Sequence, residues 1–427
     1  MKILLDTHIF LWFILFKEIA VLYRQAVRLL RQVNADDQRV TLTFYRAGLV
    51  TYISDRRYFS IVLGIVPQLR YNYKLCCKFI VSKNKLECNG ISFINFAMAI
   101  SEQLIVLALA ISAISLFAGI LYQAVSQIID RRRYPAQGKL FDIGGFRLHL
   151  NCVGQGTPTV IMDAGGGAPS ITWGLVPSEI AKFTRVCTYD RAGLGWSDPN
   201  PRTPRTSQQS VDELHALLAK AEIEPPYILV GHSLGGGNMR LYASQHPEEV
   251  VGLVLVDSVH EDQITPAIWK RMKRGILLYQ LLRIASRVGV LRLLGEMNLL
   301  PMLKDIKQKI QKYPLTVQAL FDIYKSYCYR PCYWATVSSE LVNMKRSFEQ
   351  LQAIESLGSL PLIVLSQGFK EPEMSDERFQ KWASLQLDLT KLSSNSQQIV
   401  AENSGHLIPL DQPELVVSAV YQLINRA

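Results

Sequence analysis

The sequence has 427 residues, of which 49% are apolar and 19% are charged, so it can bury a large core and global disorder is excluded. The formal net charge is +10, and the whole excess lies in residues 1–140, because the rest of the chain carries 28 basic and 28 acidic side chains. A nucleic-acid partner needs a basic stripe on the folded region, so this balance argues against nucleic acid.

Residues 1–100 show no clear succession of elements, and we interpret them as an N-terminal region of unclear structure. The uncharged stretch from Leu104 to Tyr122 follows, and its 19 residues match the ~30 Å hydrocarbon core of a bilayer. We predict a transmembrane helix with its flank over residues 101–130, and hence a single-pass membrane protein. Arg131 to Arg133 follow this stretch, so the positive-inside rule predicts that the C-terminal domain is cytoplasmic.

The cysteines do not form the regular pattern of a disulfide framework. Cys152 and Cys187 lie in apolar strand-like runs, where we expect each thiol to act as a small hydrophobe. Cys328 and Cys332 have the spacing C-x3-C without a nearby histidine or second cysteine pair, so we expect no metal site.

From residue 138 to 427, short runs rich in Val, Ile and Leu alternate with helical stretches. This alternation predicts a single α/β domain with a mostly parallel sheet and helices on both faces. The predicted strands are FRLHLNCVG, PTVIMDAG, RVCTYD, PYILVGHS, VVGLVLVDS, LPLIVLSQG and QQIVAENSGH. About a hundred residues between Asp257 and Leu360 lack such strands, and we expect several helices inserted there, at about residues 259–356.

A serine lies between a predicted strand and a predicted helix in the sequence Gly-His-Ser-Leu-Gly at residues 231–235. In this G-x-S-x-G pattern, a tight strand-to-helix turn lifts the serine hydroxyl above the sheet edge. The start of the helix behind it supplies free N–H groups and a partial positive charge. We predict that Ser233 is a nucleophile.

A histidine follows the last predicted strand, and it is preceded by Gly405. In the chain order Ser, acid, His, the base comes last, and a short loop after the final strand can bring His406 over Ser233. Two carboxylates could orient its ring: Asp257 ends the strand after the nucleophile helix, and Glu371 follows the next strand. We favour Asp257 and leave Glu371 as the alternative.

The tetrahedral intermediate of acyl transfer needs two backbone N–H donors. We predict that one is Leu234, directly after the serine, and that the other is Gly166 in the glycine-rich loop at residues 165–167. This loop is not followed by G-K-[ST], so it does not indicate a phosphate-binding loop.

These motifs together resemble the α/β-hydrolase superfamily over residues 138–426, in particular bacterial membrane-anchored members. The resemblance depends on GGFRLHLNCVGQG, DAGGGAPSITW, YDRAGLGWSD, GHSLGG, LVDSVHEDQ and NSGHLIPLDQPE, in that order. It implies an α/β-hydrolase fold with an eight-stranded sheet, a helical lid and no cofactor. Many relatives have His-Gly where this chain has Ala164-Gly165, and many have an aspartate where this chain has Glu371.

We expect a serine hydrolase that acts on a carboxylic ester or a related small-molecule acyl compound through an acyl-enzyme. The alternative is a receptor-like protein that uses the same pocket only to bind a ligand. Residues 264–312 carry 11 Lys and Arg residues against Glu296 and Asp305, interleaved with apolar residues. This pattern fits either lid helices with a solvated basic face or a lid that rests on an anionic membrane and takes up lipophilic substrates.

Overall fold

The computed structural model describes residues 41–45, 48–52, 59–62, 77–82, 85–87, 90–200, 204–372 and 374–426. It divides the chain into two compact units, Met1–Ala113 and Ile114–Ala427. Most of the N-terminal region of unclear structure, including all of residues 1–40, lies outside the described residues.

Within the first unit, short strands form one sheet in the order β2-β1-β3-β4-β5. Pairing is antiparallel between β1 and β2, between β3 and β4 and between β4 and β5, and parallel between β1 and β3. The strands are β1 (Thr41–Tyr45), β2 (Gly48–Tyr52), β3 (Phe59–Val62), β4 (Cys77–Ser82) and β5 (Lys85–Glu87). The sequence patterns did not predict this sheet.

A long helix, α1, runs from Gly90 to Arg133. Its part from Gln103 to Arg133 has 31 residues, and the most apolar 18-residue stretch of this part has a mean hydropathy of 2.7. It is the one helix of the described chain that is long and apolar enough to cross a membrane. None of its most apolar stretch is buried, whereas a core helix of this composition would be covered by the protein. At 1.5 Å per residue, the part from Gln103 to Arg133 is about 46 Å long, which exceeds a ~30 Å hydrocarbon core.

The second unit contains an eight-stranded sheet with the order β13-β12-β11-β10-β8-β9-β7-β6 among the residues described. Its strands are β6 (Lys139–Asp142), β7 (Arg147–Val153), β8 (Thr159–Asp163), β9 (Val186–Tyr189), β10 (Tyr227–His232), β11 (Val250–Val256), β12 (Leu362–Gln367) and β13 (Ser396–Ala401). Strands β8 to β13 pair in parallel wherever they are neighbours, and the antiparallel pairings are those of β7 with β6 and with β9. The prediction of an eight-stranded, mostly parallel sheet is confirmed.

Helices cover both faces of this sheet and also form a lid. They are α2 (Val176–Ile180), α3 (Ser207–Lys220), α4 (Leu234–Gln245), α5 (Pro266–Arg287), α6 (Val290–Glu296), α7 (Pro301–Ile310), α8 (Leu315–Cys328), α9 (Pro331–Val342), α10 (Met344–Gln352), α11 (Asp376–Asp388), α12 (Ile408–Asp411) and α13 (Pro413–Ile424). Helices α5 to α10 lie between β11 and β12, where the sequence indicates inserted helices.

The core has two halves because side chains alternate across a strand. Along β10, Ile228 and Val230 pack in the cluster that contains residues of α2 and α13, whereas Leu229 packs in the cluster that contains residues of α3 and α4. Every residue of β10 is buried, as expected for a central parallel strand covered on both faces. This strand therefore provides a rigid base for the residue that follows it.

The expectation for Cys152 and Cys187 is wrong. The two residues face each other in the antiparallel register of β7 and β9, and their sulfur atoms form a disulfide bond. Cys187 is buried as expected, but its partner is the other thiol. The sequence shows that both cysteines lie in strands, but it does not show the register that brings them together.

Candidate active site

Ser233 occupies the sharp turn between β10 and α4. Its φ angle of 53° is uncommon for a residue with a side chain, and such strain is found mainly at functional sites. The turn is so tight that a Cβ atom on Gly231 would overlap the carbonyl oxygen of Gly235. A Cβ atom on Gly235 would in turn overlap the carbonyl oxygen of Asp163. The two glycines of the motif are thus required by close backbone packing.

The structure brings Asp257 and His406 together. Asp257 follows β11, is fully buried, and its Oδ2 lies 2.6 Å from Nδ1 of His406. Its Oδ1 accepts hydrogen bonds from the Trp382 indole nitrogen at 2.9 Å and from the backbone N–H of Gln367 at 3.1 Å. Because the carboxylate accepts a hydrogen bond from the Nδ1–H group, the proton stays on Nδ1 and the second ring nitrogen of His406 is available as a base.

Glu371, the alternative acid, lies beside this pair. It lines the same cavity as Ser233, Asp257 and His406. Its Oε1 occupies the space that a side chain on Gly405 would need. The carboxylate that holds Nδ1 of the histidine is that of Asp257, and Glu371 acts on the ring through its charge.

The surrounding charges set the pKa of His406. Burial lowers the pKa of this imidazole, but the hydrogen bond and the charge of Asp257, followed by the charge of Glu371, outweigh burial and raise it above the ordinary value. By contrast, burial, assisted by the charge of His406, lowers the pKa of His232 to about 3. His232 is therefore neutral at physiological pH, and its Nε2 donates to the backbone carbonyl of His406 at 2.8 Å. This contact holds the histidine loop against the serine turn.

The predicted oxyanion donors are neighbours. A Cβ atom placed on Gly166 would lie 3.5 Å from Cδ2 of Leu234 and 3.7 Å from its Cβ. As the first residue of α4, Leu234 has no helical acceptor for its N–H. Gly167 is excluded as a donor because its N–H donates to Oε2 of Glu340 at 2.7 Å.

A buried arginine that the sequence analysis did not select holds the glycine-rich loop. Arg191 donates to the carbonyl oxygens of Ala164 and Gly165, each at 2.6 Å. It also forms ion pairs with Asp163 at 2.5 Å and with Glu340 at 3.0 Å. Burial lowers the pKa of Arg191, but the charges of Asp163 and Glu340 raise this pKa by more than burial lowers it, so the guanidinium stays charged. Arg191 belongs to the YDRAGLGWSD motif, whereas its lid partner Glu340 gave no local signal.

Two cavities adjoin Ser233 and the glycine-rich loop. A cavity of about 290 Å³ is lined mainly by apolar residues of α7 and α8, together with Gly166, Gly167 and His232. A second cavity of about 770 Å³ contains Ser233, Asp257 and His406, together with charged side chains. The charged residues of this second cavity include Glu371, Glu377, Arg378 and Lys381.

In the described part of the chain, the side chains that could supply metal ligands lie away from Ser233. Potential ligand atoms of His215, His246 and Glu249 lie within 4.8 Å of one another. The two imidazole rings stack at 4.2 Å between centroids, and Nε2 of His215 lies 3.2 Å from a Glu249 oxygen. These groups already contact each other on α3 and at the end of α4, and they take no part in the arrangement around Ser233.

The sequence profile described as "Alpha/beta hydrolase family" matches residues 160–419, which is more than half of the chain. The protein therefore belongs to the alpha/beta hydrolase family. An uncharacterized protein of Bacillus subtilis, YqjL, is 28% identical over 286 residues, covering 67% of this chain and 91% of the relative.

One solved structure and one membrane protein give two further similarities. A thermophilic esterase from Thermogutta terrifontis superposes with a TM-score of 0.51 at 20% identity, covering 68% of this chain and 99% of the esterase. This likeness shows the fold. An uncharacterized vacuolar membrane protein of Saccharomyces cerevisiae is 29% identical over 134 residues, covering 27% of this chain and 21% of the yeast protein.

The contacts of Arg191 predict the effect of a conservative change. Lysine keeps the positive charge beside Asp163 and Glu340, but it lacks the planar fork that reaches two carbonyl oxygens. We expect Arg191→Lys to lower kcat by up to about a hundredfold with little change in KM, because the loop would be displaced. Steady-state kinetics on an activated ester measure both constants, and a change confined to KM would contradict this role.

The charge of Glu371 predicts a shift in the pH profile. A histidine acts as a base only when it is unprotonated, so for a His406 base we expect activity to be complete above the pKa of this imidazole and to be lost as the pH falls through it. Removing the Glu371 charge lowers that pKa, so Glu371→Gln should move the acidic limb of kcat/KM to lower pH and leave the plateau nearly unchanged. Collapse of the plateau would instead make Glu371 the residue that orients the histidine.

Proposed function

We propose that this protein is a serine hydrolase of carboxylic esters or related acyl compounds, with Ser233, His406 and Asp257 as its triad. The observation that carries the proposal is the 2.6 Å contact between Asp257 and His406 in the cavity that also contains the strained Ser233. Membership in a hydrolase family supports the reaction class.

The proposed reaction has two halves. His406 takes the proton of the Ser233 hydroxyl as its oxygen attacks the substrate carbonyl, and the backbone N–H groups of Leu234 and Gly166 hold the resulting oxyanion. His406 then gives the proton to the leaving group as the bond to the carbonyl carbon breaks, which leaves an acyl-enzyme. Water, activated by the same histidine, attacks this ester, and the acid product leaves with Ser233 restored.

The two cavities support a division of the substrate. The cavity of about 290 Å³ is mostly apolar and reaches the oxyanion loop through Gly166 and Gly167, so it fits a lipophilic acyl group. The cavity of about 770 Å³ has charged walls, so it fits a more polar leaving group. We therefore propose a small-molecule acyl substrate that is lipophilic on one side of the scissile bond.

The nucleophile is tested by substitution. Ser233→Ala should abolish hydrolysis of an activated ester, because loss of a triad nucleophile costs about 10⁶-fold in kcat. A fluorophosphonate probe should label the unmodified protein and fail to label this variant. Ser244→Ala, which changes a partly exposed serine at the other end of α4, is the matched control and should retain both properties. A protein that only binds a ligand would give neither labelling nor turnover.

The side of the membrane is also a proposal. Arg131 to Arg133 at the end of α1 favour a cytoplasmic hydrolase domain, because basic flanks are enriched on that side of membranes. The Cys152–Cys187 disulfide favours the opposite side, because disulfides persist mainly in oxidising compartments. The two observations disagree, and the redox state of this cysteine pair in cells decides between them.

Thiol trapping in intact cells distinguishes these placements. Cells are quenched in acid, and the free thiols are alkylated before the protein is digested. On the cytoplasmic side, Cys152 and Cys187 should both be recovered as alkylated thiols. Recovery of the two residues as a linked peptide would place the domain in an oxidising compartment. Cys328, a buried free cysteine of the same domain, is the control and should be alkylated after denaturation in either case.

A further inference from the structure

Residues of α1 between Gly119 and Asp130 contact the lid. Gly119 lies against the link between α5 and α6, where a side chain on it would overlap the carbonyl oxygen of Val288. A Cβ atom on Gly289 would in turn lie 2.6 Å from the carbonyl oxygen of Gly119. Glycines at both sides of this crossing allow the two backbones to touch, as at close helix contacts within membranes.

A buried polar network lies beside this crossing. Gln123 is only 2% exposed; its amide donates to the carbonyl oxygen of Tyr329 at 2.5 Å and accepts from Nε of Arg292 at 2.9 Å. Arg292 also forms an ion pair with Asp130 at 2.6 Å and lies over the Tyr329 ring at 4.8 Å. Gly119, Gln123 and Asp130 thus form one face of the helix, and this face is bound to the lid.

The opposite face of the same helix is exposed and apolar. It carries Ile114, Phe117, Leu121, Val125 and Ile128, spaced three or four residues apart. A polar or charged side chain in a helix that faces lipid is costly unless it turns inward and finds a partner. The division of α1 into a paired polar face and a free apolar face satisfies this requirement.

The apolar surface does not end with α1. Helix α5 exposes Leu277, Leu278, Leu281 and Ile284, and its C-terminal end is the point at which Gly119 makes contact. These four residues are the docking surface. On the same side of α5, one to two turns nearer its N-terminus, lie the exposed basic residues Lys270, Lys273 and Arg274. Exposed Arg283 and Arg287 lie beside the other end of the docking surface, so basic residues border the apolar ones, which matches hydrocarbon bordered by anionic headgroups.

We infer that the docking surface of α5 inserts into the lipid bilayer beside α1, so that the membrane helix holds the lid against the membrane. The lid interior connects this contact to the substrate cavity. Tyr329, which contacts Gln123, belongs to the same packed cluster as Tyr333, and Tyr333 lines the apolar cavity. Resting on the proposed function, this arrangement brings the lipophilic part of the site to the surface where lipophilic esters dissolve.

Photocrosslinking of the full-length protein tests insertion without any need for catalysis. p-Benzoylphenylalanine replaces Leu281 in protein reconstituted into vesicles of phosphatidylcholine and phosphatidylglycerol. Irradiation should produce lipid adducts, which intact-mass measurement detects. Leu387 on α11 is the matched control position, because it is the same residue type and 56% exposed against 55% for Leu281. We expect no lipid adducts when the photoreactive residue is at position 387.

Equal lipid yields at the two positions, or crosslinks from position 281 to a second copy of the chain, would overturn the inference. A catalytic measurement supplies the second readout. Leu281→Glu should slow hydrolysis of a long-chain ester carried in the vesicles and leave hydrolysis of a water-soluble short-chain ester unchanged, whereas Leu387→Glu should affect neither. If no ester is hydrolysed by the unmodified protein, the proposed function fails, while the crosslinks still decide the position of the lid.

Discussion

Parallel pairing of the central strands is the constraint on which the site depends. Because β10, β11 and β13 run in the same direction, the residues that follow them come out at one edge of the sheet. Ser233 follows β10, Asp257 follows β11, and His406 lies in the loop after β13. The buried strands fix the positions of these loops, and the loops need only a few residues each to bring the three side chains together.

The second requirement is a fixed glycine loop, and here the protein uses buried charge. The carbonyl oxygens of Ala164 and Gly165 accept hydrogen bonds from Arg191, and the carboxylates of Asp163 and Glu340 compensate the buried charge of this guanidinium. A buried cation with paired carboxylates is costly to disturb. Removal of one partner would leave a buried charge without compensation, so these ion pairs hold the loop and its N–H groups in one arrangement.

The sequence predicted those features that depend on local pattern. The alternation of apolar runs and helices predicted the sheet, which is confirmed. The ends of those runs predicted Ser233, Asp257 and His406 as site residues, and their catalytic roles stay a prediction. Strand β6 was missed because it is a short, exposed edge strand, KLFD, without a buried apolar run. The Cys152–Cys187 bond and the Arg191–Glu340 pair were missed for another reason. Each joins residues that are 35 or 149 positions apart, and their proximity depends on strand register and lid packing that no local pattern encodes.

The lid is not uniform, and this affects how its substrate range can diverge. Helix α9 carries Glu340, which contacts both Arg191 and the N–H of Gly167, so a substitution at this position disturbs the loop below it. Helices α7 and α8 instead supply cavity-wall residues such as Ile306, Ile310 and Phe321. Mutational drift or directed evolution can therefore reshape the α7–α8 wall for a new ligand while the glycine loop stays in place, whereas α9 must be inherited together with the loop it supports.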